Sequence, residues 1–431
     1  MTLGARALAA YAAPAVALAA LYFPVYVYVA PFYAGEHGVA LGALGGLFIA
    51  VRLLDAVTDP AMGWLSDSTP ARYGRRKLWM ALSAPLVAVS VWMLLVPPPD
   101  AGFGHVALWM TALTLAWTVA LTPYYAWGAE IDGDYAGRAR VTAAREGAAL
   151  AGTVLAVILY NLAEDAASGL RAVALMVAVA LPLGAVAAVT LAPEPRDFSR
   201  ERLGIGAALR SLRANAPFRR LLVAYFINGA ANALPAGLFL FFIADVLRAP
   251  EAGWLLLVYF VCAIAGMPLW AWAARRWSKH RAWGAAMLYA CAVFACVPLL
   301  GPGDVTGFAA ICVLTGFALS ADLSLPPAIQ ADVVDVDTAE SGAQRTGLFF
   351  ALWSVATKAA LALSGGAALI ALDLAGFQAG ADNDATALAA LVGLYALVPV
   401  ALKLAAVALM WNFPLDRAAH DALRARIEAP S

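Results

Sequence analysis

The sequence predicts an all-α polytopic membrane protein with twelve spanning helices in two six-helix halves. Three observations carry that prediction: an apolar excess, twelve apolar runs of spanning length, and a motif repeat between the halves. Of 431 residues, 63% are apolar or aromatic and 13% are charged, and the mean hydropathy is +0.79. Soluble domains run near about 45–50% apolar and about 25% charged. Surplus apolar surface on this scale needs lipid, and each helical span needs about 20 apolar residues. The 28 basic residues balance 28 acidic ones. No basic footprint for nucleic acid is present.

Apolar runs fall at about 8–33, 40–64, 78–97, 105–130, 142–162 and 171–192. A polar stretch, EPRDFSRERLGIGAALRSLRANAPFRR, follows from Glu194 to Arg220. Six more runs lie at about 218–246, 252–274, 282–301, 305–331, 345–372 and 385–413. The expected division is an N-terminal half (1–192), a linker (193–217), a C-terminal half (218–413) and a tail (414–431). The opening MTLGARALAAYAAP resembles a signal peptide, but the apolar run continues past Tyr33 with no cleavage site and reads as a first span.

Basic residues set the orientation. They crowd the loop after span 2 (Arg72, Arg75, Arg76, Lys77), the loop after span 4 (Arg138, Arg140), the linker, the loop after span 8 (Arg275, Arg276, Lys279, Arg281) and the tail. The odd-numbered loops hold Arg171 and Arg248. Even-numbered loops and both termini are therefore expected on the cytoplasmic side of a plasma (inner) membrane.

The repeat pairs PYYAWGAEIDGD, from Pro123, with PPAIQADVVDVD, from Pro326, so that Asp132 and Asp134 recur as Asp335 and Asp337. GRRK at Gly74–Lys77 pairs with SKHR at Ser278–Arg281. Two parallel six-helix repeats are the build of major-facilitator transporters, with the substrate near midplane between the halves.

Charges inside spans mark function by default. Span 2 carries Arg52, Asp55 and Asp59, span 10 carries Asp322, and span 11 carries Lys358. Glu130 and Arg145 flank the loop after span 4. Lys403, in the last span, and Glu36, at an outer end, lie where snorkelling to the surface could suffice. Asp55 and Asp59, four residues apart, share one helix face and repel unless a cation, a shared proton or a basic partner intervenes. Thr58 and Thr118 are candidate further oxygens for Na⁺, Li⁺ or H⁺. Static pairing of the two aspartates with Arg52, Arg145 or Lys358 is the competing reading. Lys358, one of four lysines, is expected to meet Asp55 or Asp59 across the interface of the halves, as a fixed lock or as part of a gate. Asp322 precedes Pro326 and Pro327, where a helix break is expected to open a cavity. Tyr22, Tyr26, Tyr125, Trp353 and Asp322 are the expected cavity lining, and Asp67 with Arg75 the expected cytoplasmic gate, pairing with the end of span 11 or the loop after span 4.

Cys262, Cys291, Cys296 and Cys312 lie in apolar stretches without metal-ligand spacing, and His37, His105, His280 and His420 are scattered. No metal, no cofactor beyond a transported cation and no enzymatic activity are expected, because no nucleophile–base pair or phosphate loop appears. Gly42, Gly45 and Gly46 read as helix-packing surface.

The run RLLDAVTDPAMGWLSDSTPARYGRRKLW, from Arg52 to Trp79, resembles the signature of the glycoside–pentoside–hexuronide:cation symporter family. Asp55, Asp59, Pro60, Gly63, Asp67, Thr69, Gly74 and Arg75 fit its pattern. TPYYAWGAE…DYAGRARVTAARE (Thr122–Glu146), LPPAIQADVVDVD…GAQRTGLFFAL (Leu325–Leu352) and the Lys358 position extend the likeness over both halves. The resemblance implies that Asp55 and Asp59 bind Na⁺, Li⁺ or H⁺ with help from Thr58 and Thr118. It also implies Lys358 near the cation and Arg145 toward the cavity. In the melibiose-transporting branch, aspartates on helices 1 and 4 clamp the sugar; here those positions fall near Ala19 and Leu121. Span 1 offers Tyr22, Phe23, Tyr26, Tyr28, Phe32 and Tyr33 instead, rings that can stack on a substrate or pack against lipid. The family is also similar to animal lysolipid symporters.

The expected function is cation-coupled symport of a small organic solute by alternating access, with the solute a glycoside or a less polar, amphipathic molecule. The alternatives are an exporter or antiporter of amphipathic compounds, and a non-transport assembly factor on the same fold. The expected partners are solute, cation and lipid bilayer, with no nucleic acid. Nothing demands more than a monomer.

Overall fold

The computed structural model describes residues 3–22, 24–70, 74–131, 135–194, 215–341 and 346–415. For a few helical residues within 129–139 and 334–362 it describes the backbone alone. Arg72, Phe23, Asp132, Asp134, most of the expected linker and the tail beyond Leu415 lie outside these residues, as do the side chains of Arg138, Asp335 and Asp337.

Twelve helices among the described residues are long and apolar enough to cross a membrane, and no strand occurs among them. They are α1 (Ala5–His37), α2 (Leu41–Ser68), α3 (Lys77–Leu95), α4 (Phe103–Glu130), α5 (Tyr135–Asn161) and α6 (Ala166–Leu191). Then come α7 (Ala216–Val246), α8 (Pro250–Trp277), α9 (Lys279–Leu299), α10 (Val305–Ser341), α11 (Thr346–Leu374) and α12 (Ala385–Met410). The chain divides into two compact units, Met1–Arg200 and Glu201–Ser431.

Each unit packs by the same plan, which is the repeat expressed in three dimensions. In the first, α1 packs on α5 and α6, α3 on α4 and α6, and α2 on α4. In the second, α7 packs on α11 and α12, α9 on α10 and α12, and α8 on α10. Glycines allow the closest approaches. A Cβ on Gly152 of α5 would lie 1.9 Å from the Val16 carbonyl oxygen of α1. On Gly316 of α10 it would lie 2.5 Å from the Tyr259 carbonyl of α8. Small residues bring backbones together where lipid supplies no hydrophobic drive between helices. Large apolar side chains point outward in helical stripes, such as Leu82, Leu86 and Val89 on α3 and Leu175, Val179, Leu183 and Val186 on α6. Water would not tolerate such stripes; a bilayer requires them.

Helix ends follow ordinary chemistry. Asp165 caps α6, accepting from the Ser168 backbone N–H at 2.7 Å while Ser168 returns to the cap in a capping box. Those hydrogen bonds hold the Asp165 carboxyl below its usual value. Gly38 (φ +63°) ends α1, and Gly74 (φ +72°) turns the loop after α2, both in the left-handed region that suits glycine.

The spans run on through their internal prolines. Pro24 sits at the start of a π-helical turn, Pro24–Tyr28, inside α1. Further π-turns occur in α7 (Phe242–Val246) and α12 (Gly393–Leu397). The break expected at Pro326 and Pro327 is absent. The α10 helix runs through both prolines to Ser341 and packs on α8 and α9. Two missing N–H donors remove two rungs of the ladder, and packing carries the helix across the gap.

Candidate functional site

The α2 helix puts Arg52, Asp55 and Asp59 on one side, as their spacing requires. Asp55 is 5% exposed. Arg52 Nη1 donates to Asp55 Oδ2 at 2.8 Å. From α4, Thr118 Oγ1 lies 3.2 Å from Asp55 Oδ1 and 3.0 Å from Asp59 Oδ1. A hydroxyl has one hydrogen. Only one of those contacts can be a hydrogen bond from the threonine. The other brings two oxygens together, a contact that a proton on the carboxyl, a bound cation or a basic neighbour would offset. Thr58 gives its hydroxyl hydrogen to the Leu54 carbonyl at 3.0 Å, so toward a ligand it offers oxygen lone pairs alone.

Arg52 pairs with Asp55, whereas Arg145 ion-pairs with its neighbour Glu146 at 2.7 Å. The Arg145 guanidinium also lies over the Tyr125 ring, 4.3 Å from its centre. Arg52 lies over Tyr26, 4.8 Å from the ring centre. Tyr26 and Tyr22 have ring centres 4.8 Å apart, and Tyr22 meets Trp117 edge-on at 6.1 Å. The Tyr26 hydroxyl and the Trp117 Nε1 are buried without hydrogen-bond partners. An aromatic wall with two unspent polar atoms therefore borders the aspartates. Span 1 thus divides: Tyr22 and Tyr26 face this wall, while Tyr28 stacks on Tyr160 at 3.6 Å and Tyr33 donates to the Leu94 carbonyl at 2.8 Å.

The second unit holds charges in a different arrangement. Asp322 and Lys403 form an ion pair at 3.0 Å with side chains 8% and 10% exposed. Trp283 Nε1 donates to Asp322 Oδ1 at 2.7 Å, Asn232 Nδ2 to Oδ2 at 2.9 Å, and Lys403 Nζ to Asn228 Oδ1 at 2.7 Å. Lys403 does not snorkel; it turns inward to a carboxylate and an amide. Sequence reasoning named Asp322 but missed its partner Lys403. Its signal was the helical spacing Pro399, Lys403, Ala406, Met410, all of which are buried on one face of α12. Trp353 belongs to the core of this unit and stacks on Tyr225 at 3.7 Å. Lys358 is half-buried on α11.

Where α2 meets α3, Arg75 and Arg76 converge on carboxylates. Arg75 Nη2 reaches Asp67 at 3.2 Å and Glu130 at 3.0 Å. Arg76 grips Glu130 with two nitrogens, at 2.6 and 3.1 Å, and reaches Asp67 at 2.7 Å. Burial pulls the Arg76 pKa down, but the bonds and charges of Glu130 and Asp67 outweigh it, leaving a net rise. The expected pair Asp67–Arg75 is thus part of a four-residue cluster that includes the last residue of α4. In the second unit Lys279, from the repeated SKHR motif, sits on both oxygens of Asp332 at 2.7 Å, close to the corresponding end of α10. Among the described residues, no group of three His, Cys, Asp or Glu is placed to hold a metal ion.

The twelve apolar helices define a multi-pass membrane protein. Residues 10–417 match the family described as MFS/sugar transport protein, and the chain belongs to that family. The inner membrane symporter YicJ of Escherichia coli is 34% identical over 139 residues, 31% of this chain and 30% of that protein. The isoprimeverose transporter of Lactiplantibacillus pentosus is 23% identical over 413 residues, 90% of this chain and 84% of its own. The sodium-dependent lysophosphatidylcholine symporter 1-A of Danio rerio is 24% identical over 420 residues, 86% and 78%. Among solved structures, the nucleoside transporter NupG overlays with a TM-score of 0.66 at 11% identity, covering 99% of this chain and all of that one, a likeness of fold.

Proposed function

We propose that this protein couples entry of a small organic solute to a cation bound at Asp55, Asp59 and Thr118. The observation that carries this reading is the single Thr118 hydroxyl set against both carboxylates, an arrangement that a proton, Na⁺ or Li⁺ completes. Arg52 offsets part of the charge when no cation is present. The relatives named as symporters, one of them sodium-dependent, support the coupling. Lys358, on α11, is assigned to the same coupling system. Transport proceeds by alternating access of the two halves. Cation and solute raise each other's affinity by the same factor. The Asp67, Arg75, Arg76 and Glu130 cluster serves as the cytoplasmic gate, in a plasma membrane with both termini inside.

The solute is assigned to the less polar end of the family's range. Ala19 and Leu121 cannot hydrogen-bond a sugar through their side chains. The wall of Tyr22, Tyr26 and Trp117 offers ring faces with a hydroxyl and an indole N–H, which suits an amphipathic or aromatic-glycoside solute. The test is uptake into proteoliposomes under imposed inward Na⁺ or H⁺ gradients, across simple sugars, aryl glycosides and lysolipids. Gradient-driven accumulation of an amphipathic solute is expected. Cation and solute moving in opposite directions would establish an exporter or antiporter instead. Absence of any solute flux would favour the assembly-factor reading.

A further inference from the structure

The second unit contains a cavity that the coupling reading does not use. Asp322, Lys403, Asn232, Tyr259, Thr315 and Cys291 line it, together with small and apolar side chains from α7, α9, α10 and α12. It offers about 30 Å³ to water-sized molecules, room for about two of them.

The hydrogen-bond accounting around it is uneven. The Asp322 carboxylate is well served, with Trp283 on one oxygen and Asn232 and Lys403 on the other. An ammonium has three donors. Lys403 spends two, on Asn228 and Asp322, and lines the cavity with the third to give. Pro235 has no N–H for the Ala231 carbonyl one turn before it, and both residues line the cavity. The Thr315 hydroxyl donates to the Ile311 carbonyl and keeps its lone pairs. The cavity lining thus contains one unspent charged donor together with residues that carry oxygen acceptors. An anion is disfavoured by the Asp322 carboxylate and a cation by the Lys403 ammonium. A neutral group that both donates and accepts fits both.

We propose that this cavity is a binding site for neutral hydroxyl groups, supplied by water or by the hydroxyls of a solute, with Lys403 as the principal donor and the Ala231 carbonyl as an acceptor. All of its residues belong to the second unit, so the site stands independently of Asp55 and Asp59. A buried ion pair is costly in a low-dielectric interior and breaks even only when its remaining hydrogen bonds are met. A bound hydroxyl meets the last one here.

X-ray hydroxyl-radical footprinting of the purified full-length protein tests this, because bound internal water labels the side chains beside it. Tyr259 and Cys291 are expected to be modified at least severalfold faster than two buried controls outside the cavity, Tyr33 and Cys312. Filling the space with Ala318→Val, and separately removing both charges with Asp322→Leu together with Lys403→Met, is expected to bring the Tyr259 and Cys291 rates down to those of the controls. The filling variant keeps every charge, so it remains informative where the double variant does not fold. Protection of Tyr259 by added methyl glycosides assigns the hydroxyl to solute; unchanged labelling assigns it to water. Wild-type labelling at control rates, or full labelling in the filled variant, overturns the proposal.

Discussion

At position 118 one hydroxyl faces two carboxylates, and the energetics of the first unit's site turn on that hydrogen. Thr118→Val keeps the shape and removes the oxygen. The loss of one ligand oxygen or hydrogen bond is worth about 1–2 kcal/mol, which corresponds to about tenfold or more in affinity. Cation titration by intrinsic fluorescence is expected to show that weakening with the fold intact; an unchanged midpoint would remove Thr118 from the site. A second residue-scale prediction comes from Gln330, fully buried on α10 with neither amide atom partnered. Each buried unpaired polar group costs about 1–3 kcal/mol. Gln330→Leu is therefore expected to raise the thermal unfolding midpoint, and a lower midpoint would show that the amide serves a partner. The aspartates were legible in the sequence because charge is so sparse there and four-residue spacing fixes a helix face. Lys403 was not. A lysine seven residues from the end of its helix can reach the surface by length alone, and its actual partners, Asn228 and Asp322, are far away in the chain.

Among the elements, the sharpest constraint is the approach of α1 to α5. Gly152→Ala would drive a methyl group into the Val16 carbonyl, and the helices must separate. Overpacking of this kind costs about 1–3 kcal/mol. Gly46→Ala meets nothing within 4 Å and is expected to be neutral. Thermal unfolding of the two variants in one detergent separates them; equal midpoints would mean that α1 does not pack on α5 as described. Helix number and span limits could be read from apolar runs, since lipid imposes one length on every span. The course of α10 could not. Two adjacent prolines predict a break locally, but the packing of α8 and α9 that keeps the helix whole is tertiary and leaves no local pattern. The π-turns of α1, α7 and α12 were likewise invisible, because apolar residues fill them as they fill any span.

For the whole molecule, the repeat was the most readable feature, and the shared packing plan of the two units follows from it. Orientation belongs to this scale too. In a Cys296→Ser background, Asp100→Cys is expected to react with an impermeant maleimide on intact cells, and Arg276→Cys after permeabilisation alone. Both positions are exposed. The reverse pattern would invert the topology that the basic loops imply. Coupling is the central claim, and a ligand that binds the folded state raises its stability by mass action. The direct measurement is the thermal unfolding midpoint of the full-length protein against Na⁺, Li⁺ and pH, for wild type and Asp59→Asn. A midpoint that climbs with one of these cations in wild type and stays flat in Asp59→Asn is the predicted result. The same climb in both proteins, or none in wild type, would contradict a cation site at Asp55 and Asp59.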